Sequence, residues 1–181
     1  MGRSFRRGWN LDTSVILDEI ISKHAVELRP PEGINALVLL HALADVESDH
    51  GARSLATLHE SAYCYKGFYY KSPNGGDLRR LSRVYGCLAH SSYSAWQILY
   101  LVAYEEGFRG DPCALRDNEV AIRPVIRVLN RRVFDRYPRI SLKGIADSWN
   151  SGNPRDENVP HVYVKRFLEA YERWKQLASA S

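Results

Sequence analysis

The chain has 181 residues, room for one ordinary domain and too little for two well-cored ones. Hydrophobic residues make up 45% and charged residues 25%. This globular mix excludes disorder as a description of the whole chain, and no apolar run approaches the roughly 18–20 residues that cross a bilayer, so no membrane insertion is expected. The balance of 25 basic against 21 acidic residues is +4, which suits an anionic polymer as partner without naming one.

In chain order, Arg3, Arg6 and Arg7 look like the basic start of a secretory leader. No apolar stretch follows before Asp12, so a product made in the cytoplasm without a signal peptide is expected, with residues 1–11 flexible. Asp12-Thr13-Ser14 offers N-cap chemistry, and Val15, Ile16, Ile20, Ala25, Val26 and Leu28 then recur at helical spacing until Pro30-Pro31 stops the segment. A second helix is predicted over about 34–47. It is apolar nearly all round, as a buried central helix should be. Residues 52–76 change character: Tyr63, Tyr65, Phe68, Tyr69 and Tyr70 crowd ahead of the turn chemistry of Ser72-Pro73-Asn74-Gly75-Gly76, which predicts loop with a small hairpin near 60–76.

Helical patterns resume at 77–90, 95–106, 118–137, 141–150 and 160–177, with Pro124 starting or kinking the 118–137 segment. There is no repeat, low-complexity tract or interdomain linker. The expectation is one mainly α domain over 1–181, with a loop-rich or hairpin element in its first half. Three cysteines (Cys64, Cys87, Cys113) without a CxxC spacing predict reduced thiols and no zinc site; a Cys64–Cys87 bridge stays open.

The informative segment closes the apolar helix: Asp45-Val46-Glu47-Ser48-Asp49-His50-Gly51. A carboxylate there is disfavoured as an anion by desolvation and by the helix C-terminus, the condition a general acid needs. Ser48 beside it can fix geometry through a local hydrogen bond. Ser92-Tyr93-Ser94-Ala95-Trp96-Gln97-Ile98 reads as a helix start, and Gln97 offers both a donor and an acceptor to a sugar. Asp147-Ser148-Trp149-Asn150-Ser151-Gly152 places an aromatic and an amide at another helix end, closed by a glycine cap. Arg123, Arg127 and Arg131 fall four apart on one helical face, followed by Arg132, Arg136 and Arg139. This is either a solvated face or an attraction for an anionic wall polymer.

Taken in order, these segments resemble the lysozyme-like superfamily of lytic transglycosylases and phage-type muramidases. Glu47-Ser48 with Gly51 is similar to its catalytic Glu-Ser motif, Ser94 to Ile98 to its Gly-x-x-Gln-Ile segment, and Trp149-Asn150-Ser151-Gly152 to its Tyr-Asn-x-Gly motif. Asp117-Asn118 is similar to the stretch between those two, and Tyr163-Val164 with Tyr171 to the Tyr-Val closing helix. The likeness spans about 34–174. Ser94 stands in place of the family's Gly, and Trp149 in place of its Tyr, so any phenol contact from that position to the catalytic carboxylate is lost. Glu60 is similar to the second acidic residue of some phage muramidases.

The resemblance implies cleavage of the β-1,4 bond between N-acetylmuramic acid and N-acetylglucosamine in peptidoglycan. Glu47 is then the general acid/base. Glu60 would be a second carboxylate if water is the acceptor, with Asp45 and Asp49 less suited. Ser48, Tyr63, Ser94, Trp96, Gln97, Ile98, Trp149, Asn150 and Ser151 would contact the glycan strand. No cofactor or metal is expected, nor a nucleic-acid partner, since no recognition motif accompanies the modest charge. The expected protein is a monomer acting on the bacterial wall in phage lysis or from a virion. The alternative is a catalytically silent wall- or glycan-binding module on the same fold.

Overall fold

The computed structural model describes residues 11–52, 58–59, 79–155 and 159–180. It is mainly helical. Helix α1 (Leu11–His24) continues into a 3-10 turn (Ala25–Glu27), and α2 (Ala36–Ser48) follows after a proline-rich corner. Strand β1 (Leu58–His59) precedes α3 (Arg79–Tyr85) and a second 3-10 turn (Gly86–His90). Strands β2 (Ser91–Tyr93) and β3 (Ile98–Leu99) lead directly into α4 (Tyr100–Glu105). A 3-10 turn (Pro112–Arg116) then introduces α5 (Asn118–Val128), which widens into a π segment (Leu129–Phe134). Helices α6 (Leu142–Ser151) and α7 (His161–Ala180) close the described chain.

α2 is the axis of the core. Val38, Leu39, Leu40, Ala42, Leu43, Ala44 and Val46 are buried on all sides of it, so no polar stripe remains, as expected for a helix without a solvent face. α7 lies along it, and α1 packs on it from another side. Its start is fixed by Asn35, whose Oδ1 accepts from the Val38 amide at 3.1 Å while its own amide donates to the Tyr171 hydroxyl at 2.9 Å. Its end is unusual. Asp49, His50 and Gly51 have φ of 51°, 54° and 84°, three left-handed residues in a row. Two of these are not glycine, and Asp and His are among the side chains that tolerate this region better than most.

The strands form one antiparallel sheet in the order β1-β2-β3, with Leu58 opposite Ser92, His59 opposite Ser91, Ser92 opposite Leu99 and Tyr93 opposite Ile98. The observed hairpin is therefore β2–β3, inside the stretch whose periodicity predicted a helix over 95–106. Ser94 at φ 68° and Gln97 at φ 49° close a tight turn that a helix cannot contain. The helix begins only at Tyr100. The hairpin expected near 60–76 lies outside the described residues.

Other expectations shift in detail. The α1 stripe that meets the core is Leu17, Ile20 and Ile21; Val15, Ile16 and Val26 are exposed. Asp12, Thr13 and Ser14 lie inside the helix rather than capping it. The helix predicted over 77–90 stops as α-helix at Tyr85, ahead of Gly86 at φ 55°. Pro124 sits within α5 without ending it. The glycine cap expected for α6 is present, Gly152 at φ 78° terminating the helix, and the structure adds a start cap: the Ser141 Oγ accepts from the Gly144 amide at 3.1 Å. Cys87 is disulfide-bonded, against the expectation of reduced thiols, and Cys113 is free; Cys64 lies outside the described residues.

Candidate functional site

Glu47 stands in the last turn of α2, partly exposed among buried neighbours. The phenol of Tyr163, in the first turn of α7, donates to Glu47 Oε1 at 2.6 Å. Burial first, and then the Glu47 carboxylate, push the Tyr163 phenol well above its ordinary value, so it stays a donor throughout the range in which proteins fold. The substitution of Trp149 for a tyrosine was expected to deprive the carboxylate of a phenol. The phenol that reaches the carboxylate comes from α7 instead.

The neighbouring Ser48 is fully buried. Its Oγ lies 2.7 Å from the Ala95 carbonyl and 3.0 Å from the Ala44 carbonyl, and it accepts from the Gly51 amide at 2.8 Å. One hydroxyl thus joins the end of α2, the left-handed turn after it and the β2–β3 turn. From the other side, Asn118 Oδ1 accepts from the Ala95 amide at 2.9 Å. The buried Trp96 indole donates to the Leu40 carbonyl at 3.0 Å, anchoring the same turn on the middle of α2.

Gln97 spends its donor locally, on the Ser94 carbonyl at 2.9 Å. Its Oε1 is buried and has no hydrogen-bond partner among the described residues, leaving an acceptor for a ligand N–H or O–H. Ser94 and Ile98 are buried and build the turn and β3. Trp149 is half-buried against the core. Asn150 and Ser151 are exposed at the end of α6, where the Ser151 Oγ turns back to the Asp147 carbonyl at 3.0 Å. The structure therefore gathers Glu47, Ser48, Ser94, Trp96 and Gln97 around the junction of α2 with the hairpin. It places Trp149, Asn150 and Ser151 on a separate helix that packs against α7. Glu60 and Tyr63 lie outside the described residues.

The two acidic neighbours of Glu47 have structural partners. Asp45 Oδ2 accepts from the Trp174 indole at 2.6 Å and from Arg173. Asp49 Oδ1 lies 3.6 Å from the Arg166 guanidinium. The arginine stripe of Arg123, Arg127 and Arg131 is exposed, as a solvated face would be, although two of its members also reach Glu106. Arg132 binds Glu106 at 2.6 Å and Glu105 at 2.8 Å, both carboxylates nearly buried, while Arg131 reaches Glu106 at 3.3 Å and Arg127 donates to its carbonyl at 2.9 Å. Arg136 and Arg139 are exposed as well.

Sequence reasoning missed a second polar cluster beside the site. His41 Nδ1 lies 2.9 Å from His50 Nε2, with Asp18 at their edge and Trp174 stacked on His41 at 4.0 Å between ring centres. Burial, reinforced by His50, pulls His41 down to about 3, and burial lowers His50 as well. Burial also raises the Asp18 carboxyl. The one available signal was a histidine in an otherwise apolar helix.

Scans against protein-family models, curated proteins and solved structures found no match to this chain.

Proposed function

We propose that this protein is a peptidoglycan-cleaving glycosidase acting on the β-1,4 bond between N-acetylmuramic acid and N-acetylglucosamine, with Glu47 as the general acid/base. The observation that carries the reading is the Tyr163–Glu47 contact at the end of the buried helix. A phenol donating to Oε1 holds the carboxyl in a fixed orientation, as an acid that must deliver a proton requires. Glu47 delivers that proton to the leaving glycosidic oxygen as oxocarbenium character develops. Tyr163 then stabilises the carboxylate that remains, a charge-assisted hydrogen bond of the stronger kind. The hairpin turn, held by Ser48, Trp96 and Asn118, supports a rigid sugar-facing edge with the Gln97 acceptor in it.

The acceptor of the glycosyl group distinguishes two routes. Attack by the sugar's own 6-hydroxyl needs only Glu47, which takes up the hydroxyl proton and leaves a 1,6-anhydro end. Attack by water needs a second carboxylate; Asp45 is tied to Trp174 and Arg173, so Glu60 is the residue assigned to that role.

The test is digestion of purified peptidoglycan followed by mass spectrometry of the released muropeptides. The wild type should yield either anhydro or reducing ends, and Glu47→Gln should lose roughly 10²–10⁴ of the rate with an unchanged melting temperature. Full activity in Glu47→Gln sinks the assignment. Saccharide binding by the wild type without either product would favour the silent glycan-binding module.

A further inference from the structure

Three side chains from three places in the chain converge beside α2: Asp18 from α1, His41 from the middle of α2, and His50 from the left-handed turn that follows it. Their donor atoms form a triangle. His41 Nδ1 and His50 Nε2 are 2.9 Å apart, His50 Nε2 and Asp18 Oδ1 are 3.3 Å apart, and His41 Nδ1 and Asp18 Oδ1 are 3.7 Å apart. We propose that this triangle is a binding site for a divalent transition cation of the zinc class, held by Asp18, His41 and His50 with water completing the shell.

The dimensions support this. Zinc about 2.0–2.1 Å from each ligand in a tetrahedron requires ligand atoms roughly 3.3–3.4 Å apart, and the three edges straddle that separation. The donor set also discriminates. Two imidazoles and one carboxylate suit zinc, cobalt or nickel, whereas calcium and magnesium take oxygen shells. Asp18 Oδ1 is buried and has no hydrogen-bond partner among the described residues, an orphan acceptor that a cation would satisfy.

The surroundings fit as well. The two ring nitrogens face each other and share one proton, and a cation would displace it with small rotations of the rings. Trp174 covers His41 with its ring planes 14° from parallel, and its indole is fixed on Asp45. Asp45 adds a negative charge at the cluster, offset by Arg173. Asp18 is about half-exposed, which leaves a side open to water and to the incoming ion.

Such an ion would tie α1 to α2 and would pin residues 49–51, immediately after Glu47 and Ser48. The proposal is independent of the glycosidase reading, because its readouts are metal occupancy and melting rather than cleavage. The experiment uses the full chain without a polyhistidine tag, stripped with a chelator. Zinc chloride should raise the melting temperature saturably at one ion per chain, and cobalt(II) should give the visible bands of a low-coordinate nitrogen–oxygen site. Asp18→Asn keeps the shape of the cluster, and His50→Asn removes one imidazole while asparagine tolerates the left-handed backbone at position 50. Each should weaken zinc affinity by at least the roughly 10–100-fold that loss of an outer-shell partner costs. No zinc-induced shift in the wild type, or an equal shift in both variants, would overturn the proposal.

Discussion

At the scale of single residues, Ser48 carries more connections than its size suggests. Its hydroxyl meets the Ala95 carbonyl and the Gly51 amide in a fully buried position. Replacing it by alanine removes both contacts and strands the buried Ala95 acceptor, and a stranded buried group costs on the order of 1–3 kcal/mol. Ser48→Ala should therefore lower the unfolding free energy by about 2 kcal/mol or more in urea titrations. A change below roughly 0.5 kcal/mol, the usual range for an inconsequential surface substitution, would show that water takes over both partners. Glu47 and Ser48 were legible in the sequence because a polar pair closing an apolar helix stands out against its neighbours. Tyr163 was legible only as part of a closing helix; its phenol reaches Glu47 across 116 positions of sequence, a distance no local pattern encodes.

At the scale of elements, the pairing of α4 with the π segment shows what a charge pattern leaves out when its partners are distant. Arg123, Arg127 and Arg131 do share a helical spacing, but Glu105 and Glu106 at the end of α4 turn the neighbouring Arg132 into an internal tie. Their carboxylates are nearly buried, so removing the cation takes away the Arg132 partner of Glu105 and leaves Glu106 with the longer Arg131 contact alone. Arg132→Ala should destabilise the fold by about 3–5 kcal/mol, and adding Glu105→Gln with Glu106→Gln should recover part of that loss. Chemical denaturation of the single and triple variants checks both; an additive triple variant would refute the coupling. The helices α2, α6 and α7 were readable from apolar spacing, and the end of α6 from the Gly152 cap. The β2–β3 turn was not, because its left-handed positions are filled by Ser94 and Gln97 rather than glycine, and Ala95-Trp96-Gln97-Ile98 has helical periodicity on paper. The His41–His50 cluster escaped for a related reason. Nine positions and a helix end separate the two rings, and the third member comes from another helix.

At the scale of the whole molecule, α1 is clasped to α5 through a small charged group. Glu119 lies at the start of α5, where Lys23 and the buried His24 both reach its carboxylate. The hydrogen bond from Lys23 first, and then that from His24, hold its carboxyl down at about 2, below the ordinary 4.5. Because the folded group titrates lower than the unfolded one, its contribution is complete above 4.5 and disappears as the pH falls toward 2. Melting temperatures followed from pH 5 to pH 2 should fall less steeply in Glu119→Gln than in the wild type. Equal slopes would assign the acid sensitivity elsewhere. At this scale the sequence correctly indicated a mainly helical fold, since apolar periodicity is a property of each segment; which charges meet across segments is settled only when the segments pack.

Helix α7 contributes Tyr163 to Glu47, Arg166 to Asp49, Tyr171 to the start of α2, and Arg173 and Trp174 to Asp45. During translation, α2 leaves the ribosome long before any of these residues exists. The hydrophobic axis is thus synthesised first, and its carboxylates receive these particular contacts only when α7 emerges and docks. Until then Glu47 has no phenol from Tyr163 and Asp45 no indole from Trp174, so the site matures late in biosynthesis.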